Sequence, residues 1–457
     1  MIVMKNNLTL NNKKFIYIFA LILPLLPLYL VFYKPILFPF ADDWLIIGWS
    51  TQERDLIDVH SIQLVNGHQI FLSKALIYLI GYISAGNIQL ISLVTIAMGF
   101  IGVFFLVQSQ IIFLGDKANL IFLLSVLLIS GNYKQMQNLF MPICNGWMMA
   151  IFFIGIYYWL KQKKDFNSKK YLIGLTVVLA PLTIGLGIIL PIIELIETIY
   201  RILNGKSYWS TFKNQLFTFL ISFASIIFFF SIPLLKMTDG SGFESEKNIG
   251  NVLNVIKDPI GSLMYLLTLT GNIFVPASRF EPTLPIVAGS LFVITSSWIL
   301  LKNRSRIRIE DIFLNKNCML GGLVFISILF LFRYSGDPLD IQTVAAPRYV
   351  SGSLIFIIGV LGLIQKVGTN RRIITSFLLI TCSLTLVSGL KTGIEWHAIR
   401  YEQSQTLIEC AEAKDSLNTK FVEGQPCFTL AYENSMSPSK DYFKLELSKF
   451  IGIISNG

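Results

Sequence analysis

The sequence has few charged residues. Asp, Glu, Lys and Arg make up 14% of its 457 residues, whereas hydrophobic residues make up 54% and the mean hydropathy is +0.64. A soluble globular domain has about 25% charged residues, so a water-soluble chain of ordinary composition is excluded. Lipid must therefore be the main solvent of the folded chain, which predicts an integral membrane protein.

The sequence also lacks several common ligand-binding patterns. It has three histidines and five cysteines, with no CxxC or Cys/His cluster, which disfavours a zinc site. It contains no glycine-rich phosphate-binding loop and no nucleic-acid motif, so a cytoplasmic nucleotide-sugar donor and a nucleic-acid partner are both disfavoured. Cys410 and Cys427 lie in a polar C-terminal stretch, where both a disulfide and two free thiols are open alternatives.

Long apolar segments dominate the rest of the chain. A membrane-spanning helix needs roughly 20 mainly apolar residues, and about eleven segments fit, with a range of about nine to thirteen. The expected fold is therefore all-α, with about eleven transmembrane helices. The predicted spans are 15–33, 88–113, 119–131, 146–160, 171–186, 187–201, 214–235, 284–302, 318–334, 350–366 and 373–391.

Basic residues predict the orientation of these segments. The net charge is +10, and the strongest basic clusters fall at 161–170, 302–308 and 366–372. Cytoplasmic loops carry an excess of Lys and Arg, so we assign these clusters and the N-terminus to the cytoplasm. The pattern is that of a bacterial inner-membrane protein with its C-terminus outside, on the periplasmic side.

This orientation requires that two further apolar segments, 69–85 and 258–275, do not cross the membrane. Both contain polar interruptions, and we expect them to lie as juxtamembrane helices against the outer face. The chain then divides into a transmembrane domain, 1–391, and a small external segment, 392–457. The predicted external loops are 34–87, 132–145, 236–283 and 335–349.

The first external loop, 34–87, has the most distinctive polar residues. Asp42 and Asp43 precede Trp44 directly after the first predicted helix. A partly desolvated carboxylate at the membrane surface can act as a general base on a hydroxyl, and a carboxylate pair can also hold a divalent cation. An Asp-Asp helix cap or a solvated loop is the structural alternative.

His68 and Lys74 lie in the second half of the same predicted loop. His68 lies in Asn66-Gly67-His68-Gln69, with no second histidine at helical spacing and no serine-nucleophile motif around it, so it is either a cap residue or a substrate contact. Lys74 either extends its ammonium to the interface or faces an anionic group, and its long aliphatic stem slightly favours the interface.

An Asp-Asp-Trp loop after helix one, followed by an Asn-x-His-x element that opens a juxtamembrane helix, resembles the GT-C class of polytopic glycosyltransferases. The chain is most similar to bacterial O-antigen-modifying, serotype-converting glucosyltransferases, which act in lipopolysaccharide modification. The family pattern has glutamate and arginine flanking the histidine, whereas this chain has Gly67 and Gln69.

The resemblance implies a polyprenyl-phosphate-linked sugar donor that enters from the membrane lipid. It also implies transfer of the sugar, here glucose, to a hydroxyl of a glycan acceptor on the periplasmic side. An acidic residue of the first loop would be the base, here Asp42 or Asp43, with Asp42 preferred. No cofactor is implied beyond the cation that the aspartate pair can hold.

Arginines are the candidates for binding the donor phosphate, because the planar guanidinium can bind two oxygens. Arg348 and Tyr349, which start the span near 350, also resemble the family pattern, and an interfacial anchor pair is the alternative. Arg279 is the second choice, with a salt bridge to Glu281 as its alternative.

Two other functions remain open from the sequence. One is an envelope polysaccharide polymerase, which would be expected to carry its largest catalytic loop late in the chain. The other is a flippase or transporter of lipid-linked sugars, which would be expected to bury charged residues at mid-membrane.

Overall fold

The computed structural model describes most of the helical part of the chain. The described residues are 18, 21–36, 70–84, 87–163, 166–205, 208–234, 257–276, 282–334, 341, 349–412, 421–422 and 425–426. They are almost entirely helical. A two-residue antiparallel pair, Phe421–Val422 with Gln425–Pro426 (β1 and β2), is the exception among them.

Fifteen α-helices occur in the described part of the chain. In chain order they are α1 Leu25–Tyr33, α2 Phe71–Ser84, α3 Ile88–Leu114, α4 Leu120–Ser130, α5 Met136–Phe140, α6 Asn145–Lys161, α7 Phe166–Leu179, α8 Ile189–Leu203, α9 Tyr208–Leu234, α10 Pro259–Gly271, α11 Thr283–Lys302, α12 Ile309–Phe313, α13 Met319–Arg333, α14 Val350–Val367 and α15 Arg371–Glu412.

The helices are consistent with the predicted all-α membrane protein. Among the described residues, four helical stretches are both long and apolar enough to cross a bilayer: Gln89–Lys117, Thr283–Lys302, Val350–Val367 and Arg371–Gln405. Every described part of the eleven predicted spans lies in or overlaps a helix, but the predicted number of crossings is not confirmed. The two segments predicted as juxtamembrane are also helical, as α2 and α10.

The ends of two predicted spans differ clearly from the structure. Residues 171–201 were predicted as two spans that meet at 186–187, but α7 already ends at Leu179. They contain the ends of α7 and α8, which two 3₁₀ turns separate, Ala180–Leu182 with Pro181 and Gly185–Ile188. The last span, predicted to end at 391, belongs to a helix that continues to Glu412, so the predicted external segment begins inside α15.

Helices α3 and α6 make the most extensive helix contact in the described structure, and glycine permits it. A Cβ added to Gly155 of α6 would overlap the carbonyl oxygen of Gly102 in α3, and a Cβ on Gly102 would overlap the backbone of Phe152. Small residues let helix backbones approach closely, which is how helices associate when both solvent and side chains are apolar. The crossing positions the N-terminal turn of α6.

A buried ionic cluster fixes the other end of α6. Lys161 lies 2.9 Å from Glu194 and 2.8 Å from Glu197, both on α8, and Arg201 lies 2.7 Å from Glu197. The Asn315 side chain donates to Glu197 at 2.8 Å, and Asn315 has a positive φ of 49°. These contacts tie α6, α8 and the turn before α13 together.

Gly155→Ala should destabilise the fold because the new methyl group meets backbone that cannot move aside. Overpacking of this kind costs about 1–3 kcal/mol. The measurement is the thermal unfolding midpoint of the purified protein in detergent. Gly99→Ala is the matched control, since its nearest neighbour is the flexible Met148 sulfur. Equal midpoints for Gly155→Ala and Gly99→Ala would contradict the close crossing.

Candidate functional site at the broken helices

Two of the predicted site residues lie in the described part of the chain. These are Lys74 in α2 and Tyr349 directly before α14. Asp42, Asp43, His68, Arg279 and Arg348 lie outside the described residues. Lys74 and Tyr349 both lie close to the first turn of α6, although they are far apart in sequence.

Helix α2 places its polar residues inside the bundle. Ser73 and Lys74 are fully buried, whereas Leu79, Tyr82 and Ile83 are more than half exposed. The Ser73 hydroxyl donates to the Thr183 carbonyl at 3.1 Å and packs against Gly146 of α6. Lys74 therefore does not extend to the interface as its stem suggested, because its side of the helix faces the protein and the apolar side faces outward.

Tyr349 contacts Trp147 in the same turn of α6. It is buried, and its ring lies perpendicular to that of Trp147 with centroids 6.0 Å apart. Trp147 makes a second perpendicular contact with Phe325 of α13, also at 6.0 Å. The predicted anchor role for Tyr349 at the lipid boundary is therefore not supported, since its ring packs within the protein.

Asn145, the first residue of α6, is the most unusual polar group near this turn. It is fully buried, and neither its amide nitrogen nor its amide oxygen has a hydrogen-bond partner in the described structure. An unsatisfied buried polar group costs roughly 1–3 kcal/mol. An unsatisfied buried amide at this position calls for an explanation. Asn145 lies at the N-terminal end of α6, which is the positive end of the helix dipole.

The segment between α4 and α6 does not form an exposed loop. Residues 132–145 were predicted to be external, yet they form a 3₁₀ turn Tyr133–Gln135, helix α5 and a second 3₁₀ turn Pro142–Cys144. Asn132, Gln135 and Asn138 are all buried. Their polarity predicted contact with water, but they find their partners in α14 and α15 instead. Interrupted helices are tolerated in an apolar bundle where the protein satisfies the freed polar groups.

Lys134 joins this segment to a second broken helix. Its ammonium donates to the backbone carbonyl and side-chain oxygen of Asn272, the latter at 2.7 Å, and to the Val275 carbonyl at 2.6 Å. Asn272 begins the 3₁₀ turn that ends α10. No carboxylate pairs with Lys134 among the described residues, and burial lowers its pKa from 10.5 to about 7.

A hydrogen-bond chain continues from this segment to α14. The Ser351 hydroxyl donates to Gln135 at 2.6 Å and accepts from Asn138 at 3.2 Å. A cavity of about 10 Å³ adjoins Gln135, large enough for roughly one water molecule and too small for a sugar. This chain therefore supports the start of α14, where Tyr349 lies, and does not itself enclose a substrate.

The long helix α15 covers the same segment. Asn132 donates to the Thr385 carbonyl at 3.1 Å, and the buried His397 ring lies edge-on to Phe140 at 4.8 Å. The His397 Nε2 atom has no hydrogen-bond partner in the described structure. We call the 132–145 segment, together with its contacts on α10, α14 and α15, the polar seam.

Sequence reasoning missed the central residues of the polar seam, namely Lys134, Asn145 and His397. A signal for them existed in the cluster of Asn, Lys and Gln at 132–138, followed by Pro142 inside an otherwise apolar region. Among the described residues, no group of three or more His, Cys, Asp or Glu is placed to hold a metal. The predicted cation alternative at Asp42 and Asp43 lies outside them.

Replacing Lys134 should change how stability depends on pH. The unfolded chain keeps the ordinary lysine pKa, so between about pH 7 and about pH 10 it binds more protons than the folded chain, and stability rises with pH. The unfolding midpoint of the wild type should therefore rise from about pH 7 to about pH 9 more steeply than that of Lys134→Met. Lys391→Met, at an exposed position of α15, is the control and should keep the wild-type slope. Identical slopes for all three proteins would contradict the burial of Lys134.

Comparison of the chain with protein families, with characterised proteins and with solved structures found no match.

Proposed function

We propose that the protein is a GT-C-type membrane glycosyltransferase. It moves a sugar, glucose by the family resemblance, from a polyprenyl-phosphate donor to a hydroxyl of a cell-surface glycan such as O-antigen. The reaction takes place on the periplasmic side of the bacterial inner membrane. The proposal rests on the motifs of the first loop and on the arrangement of the described residues around the first turn of α6.

The observation that carries the proposal is the burial of Lys74. This residue follows the first loop, and its helix packs against the first turn of α6 through Ser73 and Gly146. A lysine ammonium and a helix N-terminus both favour an anion. A phosphate-bearing lipid that enters from the bilayer supplies such an anion, and its tail can remain in the membrane.

In the proposed reaction, the acceptor hydroxyl oxygen attacks the anomeric carbon of the donor sugar. Asp42 takes the hydroxyl proton and Asp43 orients the loop, or the reverse. The bond from the anomeric carbon to the phosphate oxygen breaks, and Arg348 and Lys74 stabilise the negative charge that develops on the phosphate.

The remaining predicted residues have supporting roles. His68 contacts the substrate near the start of α2, and Arg279 is the alternative to Arg348 as the arginine that binds the phosphate. Tyr349 packs on Trp147 and so positions the start of α14. Arg348 directly precedes Tyr349 in the sequence. The polar seam holds this part of α14 through Ser351.

A second candidate function is transport of a lipid-linked sugar. Discontinuous helices are a feature of transporters, and the described chain has them at α4–α6, α7–α8 and at the end of α10. The cluster of Lys161, Glu194 and Glu197 also buries charged residues inside the protein, as a transporter would be expected to do. An assay must therefore distinguish transfer from translocation.

The test supplies purified protein in liposomes with polyprenyl-phosphate glucose and an acceptor glycan, and measures glucosylated acceptor. Asp42→Asn or Asp43→Asn should lower the rate about a hundredfold or more, because a general base is lost. Arg348→Ala and Lys74→Gln should each lower it about tenfold or more. Asp116→Asn and Lys391→Gln are matched controls at exposed positions and should keep full activity.

Full transfer by Asp42→Asn, Asp43→Asn and Arg348→Ala would contradict the site assignment. Translocation of a labelled donor by the wild type, with no transfer to any acceptor, would favour the transporter instead.

A further inference from the structure

Three helix ends repeat the same pair of side chains. Trp159 and Lys163, Trp209 and Lys213, and Trp298 and Lys302 each follow a Trp-x-x-x-Lys spacing, with the ammonium 4.6, 5.4 and 5.3 Å from the indole centroid. Residues four apart in a helix lie on one face, and a cation over an indole ring is attracted to it. All three pairs lie at helix ends that the basic clusters predict to be cytoplasmic. Trp and Lys at this spacing mark a membrane interface.

One of the three pairs is extended by a second helix. The Lys170 ammonium of α7 lies 4.9 Å from the Phe217 ring of α9, and the Tyr171 ring lies edge-on to Phe217 at 5.6 Å. Phe217 packs against Gly174, where a Cβ would come within 3.3 Å of the ring. Trp209, Lys213 and Phe217 follow one another at spacings of four, so they share a face of α9.

We call this surface the α7–α9 groove. It consists of Lys170, Tyr171, Trp209, Lys213 and Phe217.

The two lysines of the groove have no acidic partner. The sequences of α7 and α9 contain no Asp or Glu, and neither Lys170 nor Lys213 forms an ion pair among the described residues. Lys366 and Lys161 differ in this respect, since Lys366 pairs with Asp311 at 3.2 Å and Lys161 pairs with two glutamates. The positive charge of the groove is therefore not neutralised by the described protein.

Apolar side chains continue from the groove along both helices. Leu172 and Leu175 of α7, and Leu220 of α9, are each about half exposed, and Tyr171 and Trp209 are more exposed still. The surface thus has two cations and exposed aromatic rings near the N-terminal ends of α7 and α9, and aliphatic side chains further along the two helices. This is the order of chemical groups in a phospholipid, from headgroup to acyl chain.

We propose that the α7–α9 groove is a binding site for an anionic phospholipid. The phosphodiester would accept hydrogen bonds from Lys170 and Lys213, the rings of Tyr171 and Trp209 would lie at the glycerol level, and the acyl chains would lie along the leucines. Basic pockets between helices near the cytoplasmic surface bind acidic headgroups in this way. A zwitterionic lipid is disfavoured because its own cationic group would lie beside two lysines. The site does not depend on the proposed transferase function.

The test titrates the full-length protein in a neutral detergent with phosphatidylglycerol or with phosphatidylcholine, and counts bound lipids by native mass spectrometry. The wild type should bind one phosphatidylglycerol about tenfold more tightly than phosphatidylcholine, since each lysine near an acidic headgroup contributes to affinity. The double substitution Lys170→Gln/Lys213→Gln should lower the affinity for phosphatidylglycerol to the affinity for phosphatidylcholine. The double substitution Lys170→Arg/Lys213→Arg should retain the tighter binding of phosphatidylglycerol.

Lys302→Gln is the matched control, because the Lys302 ammonium also lies over a tryptophan of its own helix but does not belong to the α7–α9 groove. It should bind phosphatidylglycerol like the wild type. Equal binding of the two lipids by the wild type would overturn the proposal. So would an unchanged preference in Lys170→Gln/Lys213→Gln, or an equal loss in Lys302→Gln, which would indicate diffuse attraction to a basic surface.

Discussion

The interaction on which the central part of the structure depends is the set of hydrogen bonds made by the Lys134 ammonium. Each interruption of a helix frees backbone carbonyl and amide groups, and in an apolar bundle these groups need partners within the protein. Lys134 supplies three donors to the carbonyl and amide oxygens at the end of α10. Two broken helices are thereby held together, and α14 and α15 pack around them.

The same constraint explains why several helices bury their polar faces. In α2 the serine and lysine are inside and the large apolar residues are outside. In α15 the buried positions include Thr385, Ser388 and His397, which face the polar seam. When lipid surrounds the bundle, apolar side chains need no burial, and polar side chains gain most from contact with one another. Polar side chains therefore collect inside the bundle.

The sequence was sufficient to predict the all-α class, because long apolar segments have few other solutions in a membrane. It also predicted the helices that carry Lys74 and Tyr349. It did not predict the burial of residues 132–145, since polarity alone does not distinguish a residue in water from one that hydrogen-bonds inside a bundle. The partners of Asn132 and Gln135 lie more than 200 positions away, in α15 and α14. The extension of α15 beyond residue 391 was missed for a related reason, since its polar residues were assigned to a separate external segment.

Hydrogen exchange measured by mass spectrometry on the protein in lipid nanodiscs tests the central claim most directly. Peptides covering residues 132–145 should exchange as slowly as those from α14, since the segment is buried and forms helical turns. Exchange of these peptides at the rate of an exposed loop would contradict the polar seam.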